Sequence, residues 1–124
     1  MGLTLCVCPD DHGTIVRIGG EIDVFVEELL GDSLLRIMRA HTARLLLDLS
    51  AVTFFDCAGL RTLVQARRRA ELRNGAADLI DASAQVKRII KLAGLQDVFP
   101  VHDAPSSEKA DGGRDTWTSP AQAM

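Results

Sequence analysis

The chain has 124 residues, 47% hydrophobic, 25% charged and 4% aromatic, with a net charge of −3. That is the composition of an ordinary soluble globular protein with room for one domain around an aliphatic core, and too short for two. No apolar run approaches membrane-spanning length, and Met1-Gly2-Leu3-Thr4 lacks the basic start of a signal peptide, so the cytoplasm is the expected compartment.

The three cysteines, Cys6, Cys8 and Cys57, argue against a disulfide framework, being odd in number in a chain without an export signal. His12, His41 and His102 are scattered, so neither a metal site nor a cofactor is expected. Charge is uneven along the chain. Residues 10 to 32 hold seven acids against Arg17 alone, and residues 61 to 91 hold eight Lys or Arg against three acids. Two solvated helix faces would account for this, as would charge that steers a protein partner.

In chain order, Leu3 to Cys8 alternates at period two and Thr14 to Ile18 is β-branched and apolar. Pro9-Asp10-Asp11-His12-Gly13 between them is a turn by composition, which predicts a β-hairpin. A helix is predicted over roughly Phe25 to Ala40, with Val26, Leu29, Leu30, Leu34, Ile37 and Met38 on one face and Asp23 as its N-cap. Asp23 could also meet a partner from that end. Leu45 to Leu49 reads as a buried central strand. The next helix is predicted over Leu60 to Leu72, with the stem of Arg67 packed, its guanidinium reaching outward, and Asn74-Gly75 as the stop. Asp78 to Asp81 is a short strand candidate. Ser83 can cap a third helix carrying Val86, Ile89, Ile90 and Ala93, which Gly94 ends. Leu95 and Val98 to Val101 read as a last strand or edge segment. The composition then shifts to Ser, Pro, Gly, Asp and Ala, predicting a domain over 1–102 and a disordered tail over 103–124. The order β-β-α-β-α-β-α-β predicts a single α/β domain, a mixed sheet with helices packed against it.

The segment that organises these elements is Phe54-Phe55-Asp56-Cys57-Ala58-Gly59-Leu60-Arg61, a strand-to-helix junction. It offers backbone N–H groups at a helix N-terminus, and sites in such sheets gather at the strand ends. Asp56 would fix the loop, Cys57 and Ala58 would make close contact, and Gly59 would allow close backbone approach. Leu60 would anchor the helix, and Arg61 would reach a partner carboxylate.

Gly20-Glu21-Ile22-Asp23, then Leu46-Leu47-Asp48-Leu49 through Asp56-Cys57-Ala58-Gly59-Leu60, and Val86 to Leu95 together resemble a STAS domain, most closely the anti-sigma factor antagonists. The resemblance implies a protein that binds a kinase-like anti-sigma factor and so frees a sigma factor. It also implies a junction of the form Asp-Ser-[Ser/Thr]-Gly-Leu, whose hydroxyl is phosphorylated to end binding. Here Asp56, Gly59 and Leu60 match, while Cys57 replaces the first serine and Ala58 occupies the phospho-acceptor position. Alanine has no nucleophilic oxygen, so that switch is absent at 58 or has moved; Ser50, Thr53 and Thr62 are the nearby hydroxyls.

Three consequences follow: a constitutively binding antagonist, regulation by oxidation of Cys57, or a non-phosphorylated module of a signalling or transport assembly. The residues leave the oligomeric state open. Catalysis is not expected, since a cysteine phosphatase loop needs an Arg six positions after Cys57 and Leu63 stands there. The bases Arg67-Arg68-Arg69 and Lys87, Arg88 and Lys91 lack aromatic neighbours in an acidic chain, which argues against nucleic acid.

Overall fold

A computed structural model describes residues 2–41 and 44–100. Strands β1 (Leu3–Asp10) and β2 (Gly13–Ile22) form the expected hairpin, and the chain continues through α1 (Glu27–Ala40), β3 (Arg44–Phe55), α2 (Cys57–Leu72), β4 (Ala76–Ala82) and α3 (Ala84–Leu92). The sheet order is β1-β2-β3-β4. The hairpin pair is antiparallel, and β2–β3 and β3–β4 are parallel.

Alternation along the strands decides which face is covered. Val16 and Ile18 in β2, Leu45, Leu47 and Leu49 in β3, and Ala77 and Leu79 in β4 are buried and share one face by register. Against them pack Leu30, Leu34 and Met38 of α1, Leu63, Ala66 and Ala70 of α2, and Val86 and Ile90 of α3. Each fully buried leucine or isoleucine here contributes about 1.5–3 kcal/mol of transfer free energy. The core is aliphatic, as the composition requires.

Helix ends follow local chemistry. The Ser83 hydroxyl accepts from the Val86 N–H, capping α3. At the end of α2, Asn74 takes the left-handed conformation (φ 62°), the Asn74 N–H donates to Glu71 and the Gly75 N–H to Ala70. The same closure recurs after α3 with Gly94 at φ 71° and the Leu95 N–H on the Ile90 carbonyl.

Several expectations are corrected. Helix α1 begins at Glu27, and Val26 stands at its N-cap position without a side-chain bond. Asp23 instead accepts from the Phe25 N–H (3.0 Å) and shapes the turn before the helix. Leu29 is exposed, not part of the apolar face. Strand β3 runs on to Phe55, because Val52 and Phe55 stay buried while Ser50, Thr53 and Phe54 face solvent. Consequently α2 starts at Cys57, three residues before the expected Leu60.

Residues 95–99 form turns, with the Val98 and Phe99 N–H groups on the Leu95 carbonyl instead of in a ladder. Phe99 is buried, and the Arg67 guanidinium lies 5.7 Å from its ring centre and donates to the Val98 carbonyl. The Arg67 head is thus used internally. Val101 and the 103–124 tail lie outside the described residues.

Candidate functional site

Parallel pairing puts Ile22 beside Phe55 and Glu21 beside Phe54, so β2 and β3 end together. The starts of α1 and α2 gather at that end, and α3 joins them through the Gln85 side-chain amide, which donates to the Phe55 carbonyl at 3.0 Å.

The junction is held by Asp56. Its Oδ1 accepts from the N–H groups of Ala58 (2.9 Å) and Gly59 (3.4 Å), an N-cap placed at the positive end of α2. Gly59 makes the turn possible at this closeness. A Cβ there would lie 2.5 Å from Phe55 Cε1 and 3.1 Å from Ile22 Cγ2. Leu60 is half-buried and packs against the core, as expected of an anchor.

The two residues of greatest interest part company. Cys57 is exposed with a free thiol, whereas Ala58 is buried. Of the nearby hydroxyls, Thr62 is buried and donates to the Ala58 carbonyl (3.0 Å). Ser50 donates to Asp48 (2.6 Å), and Thr53 to the Gly20 carbonyl (3.3 Å).

Arg61 already has a carboxylate. Its Nε donates to Glu27 Oε2 (2.8 Å) and its Nη2 to Glu27 Oε1 (3.0 Å), a two-pronged pair clamping the first turn of α2 to that of α1. The Arg61 hydrogen bond holds Glu27 below the usual glutamate range, and Glu27 in turn raises Arg61.

The segments that carry this clamp also leave apolar side chains uncovered. Phe25 is 89% exposed, Leu29 59%, Val24 58% and Phe54 42%. Val24, Phe25, Glu27 and Phe54 belong to no motif that marks them as site residues in the sequence. A signal was available for one pair: Phe25 and Leu29 stand four apart, one position off the Leu30, Leu34, Met38 line. Asp23, Asp56, Cys57 and Arg61 are thus gathered at one end of the sheet. A surface depression of about 570 Å³ lies instead by the hairpin, lined by residues that include Asp10, His12 and Arg44. Among the described residues, no cluster of His, Cys, Asp or Glu could hold a metal ion, and no helix is long and apolar enough to cross a membrane.

The family model for the STAS domain matches residues 7–108. The anti-sigma-F factor antagonist RsfA of Mycobacterium tuberculosis is 31% identical over 102 residues, covering 81% of this chain and 78% of that protein. The anti-sigma-B factor antagonist of Bacillus subtilis is 26% identical over 91% of this chain and 98% of its own. The crystal structure of an anti-sigma factor antagonist from Mycobacterium paratuberculosis superposes with a TM-score of 0.73 at 25% identity, covering 91% of this chain and 95% of that one. On the sequence blocks, the sheet order and these likenesses, the chain belongs to the STAS domain family, in its anti-sigma factor antagonist group.

Proposed function

We propose that this protein binds a kinase-like anti-sigma factor through the rim formed by Asp23–Glu27 and Phe54–Arg61, thereby freeing a sigma factor, and that it is not switched by phosphorylation at position 58. The observation that carries the reading is the exposure of Val24, Phe25 and Phe54 in the two segments that meet at the junction capped by Asp56. Exposed aromatic and aliphatic side chains clustered with a polar border are the usual mark of a protein-binding patch. The names borne by the relatives support the choice of partner class.

The chemistry of the junction supports the second half. A phosphoryl group needs an accessible hydroxyl, and positions 57 and 58 offer a thiol and a buried methyl. A kinase acting on serine or threonine therefore has no acceptor in Cys57-Ala58-Gly59. The protein acts by association alone, its occupancy set by concentration and affinity.

The test is to add the protein to a preformed anti-sigma–sigma complex with ATP, following sigma release and the mass of the chain. Sustained release without mass gain at residues 54–61 is expected. Release that decays as a phosphoryl group appears on this segment would refute the reading, as would no release at all.

A further inference from the structure

We propose that two copies of this chain join edge to edge through β1, antiparallel about a two-fold axis at Cys6, to give a continuous eight-stranded sheet. The argument begins with the hairpin register. Leu3 faces Gly20, Cys6 faces Arg17 and Asp10 faces Gly13 without a bulge, and the Glu21 N–H donates to the Gly2 carbonyl. In an antiparallel pair, hydrogen-bonded and non-bonded positions alternate, so Gly2 bonding to Glu21 fixes the phase. Even-numbered residues of β1 turn their N–H and C=O groups toward β2. Leu3, Leu5, Val7 and Pro9 turn theirs outward, to an edge that no described strand pairs.

That edge carries one of the usual protections, Pro9, and only at its far end. From Leu3 to Pro9 there is no charged residue, no lysine and no bulge. Pro9 is the one residue without an N–H, and it falls where the missing donor costs the β1–β2 ladder nothing. Leu3, Leu5 and Val7 are also only half-buried. They sit on the helix-covered face at the rim of the core, since Ile18 and Val16, the partners of Leu5 and Val7, line that face.

A second copy answers both features at once. If Cys6 lies opposite Cys6 of its twin, the overlap runs from Gly2 to Asp10 and uses the whole strand. Leu5 then exchanges two hydrogen bonds with Val7 of the twin, and Leu3 donates to the Pro9 carbonyl, each pairing occurring twice by symmetry. On the helix side, Leu5 and Val7 of both copies form one apolar group across the junction. The two Asp10 carboxylates fall at opposite ends of the ladder. Shifting the register by two residues either way shortens the overlap and separates the Cys6 pair. Because β1 lies outside β2, the ends of β2 and β3 stay open in both copies, so the dimer is bivalent.

Cys6 gives the register its own reporter. At a non-bonded antiparallel position the Cα atoms lie about 4.5 Å apart, within disulfide range. Cys8 and its twin would be about 14 Å apart along the strands. Sedimentation of the full chain under reducing conditions should show a rise from one copy to two with concentration. Cys6→Glu, which sets two carboxylates across the axis while facing Arg17 within its own copy, should stay single. With Cys8→Ser and Cys57→Ser, a mild disulfide-forming oxidant should link the chain through Cys6. With Cys6→Ser and Cys57→Ser, linkage through Cys8 should be several-fold less. A wild-type chain single at every concentration overturns the proposal. So does dimerisation that Cys6→Glu leaves intact, or linkage through Cys8 that matches Cys6.

Discussion

Gly59→Ala isolates the contact that fixes the junction. The added methyl would stand 2.5 and 2.6 Å from Phe55 Cε1 and Cδ1, and 3.1 Å from Ile22 Cγ2. Carbon atoms in contact sit at about 3.5–4.0 Å, so helix and strand must separate by about 1 Å. Phe55 and Ile22 are both fully buried, which leaves neither a free direction to yield. Such overpacking costs about 1–3 kcal/mol, and alanine's better helix propensity offsets about 1 kcal/mol of it. The net loss should be about 0–2 kcal/mol, read as a lower urea midpoint and a melting temperature reduced by up to several degrees. Gly31→Ala in α1 is the matched control, because its added methyl meets nothing nearer than Arg69 Nη1 at 3.8 Å. It should stabilise by about 0.5–1 kcal/mol. If the two variants shift the midpoint in the same direction, the packing account of Gly59 is wrong.

Asp56→Ala removes the acceptor for the Ala58 and Gly59 N–H groups and should cost about 0.5–2 kcal/mol in denaturant unfolding, with Asp56→Asn recovering most of it. Glu27 should titrate below the usual glutamate range by NMR and return toward it in Arg61→Ala. Because the folded-state pKa is lowered, the pair's contribution is present above the ordinary glutamate value and is lost as pH falls through the lowered one. Glu27→Gln should therefore weaken the dependence of stability on pH in that acid range, and an unchanged profile would remove the pair from the account. Ser83→Ala should cost about 1 kcal/mol through the lost cap on Val86, measured by the same unfolding assay.

Local patterns made much of this fold legible. An alternating run and a β-branched apolar run around Pro9-Asp10-Asp11-His12-Gly13 give the hairpin, and Ser83, Asn74 and Gly94 mark helix ends by chemistry confined to a few residues. What escaped depends on contacts distant in sequence. Glu27 and Arg61 are 34 positions apart, and no spacing rule joins them; only the parallel pairing of β2 and β3 does. Phe99 looked like a strand residue because it is apolar and near Val98 and Val101, yet Arg67 and the core fix it in a turn. Asp23 shows the local limit: an acid before a helix can cap it or turn the chain ahead of it, and the Phe25 N–H decides for the turn. The junction itself was found from Asp56, Gly59 and Leu60. Which of Cys57 and Ala58 faces solvent followed only once α2 was seen to begin at Cys57.

The rim at the ends of β2 and β3 is the proposed docking surface for an anti-sigma factor. Calorimetric titration of a kinase-like anti-sigma factor onto four chains tests it most directly: wild type, Phe25→Ala, Cys57→Glu and Leu72→Ala. Phe25 and Cys57 are exposed, so both rim variants should fold normally, and Leu72 is an equally exposed apolar residue about 22 Å away at the far end of α2. Phe25→Ala should lose about 2 kcal/mol of binding, roughly thirtyfold in Kd, as expected for a buried aromatic anchor. Cys57→Glu should weaken binding by burying an unpaired charge, and Leu72→Ala should bind like wild type. Equal affinity for all four chains, or a loss confined to Leu72→Ala, would contradict the account.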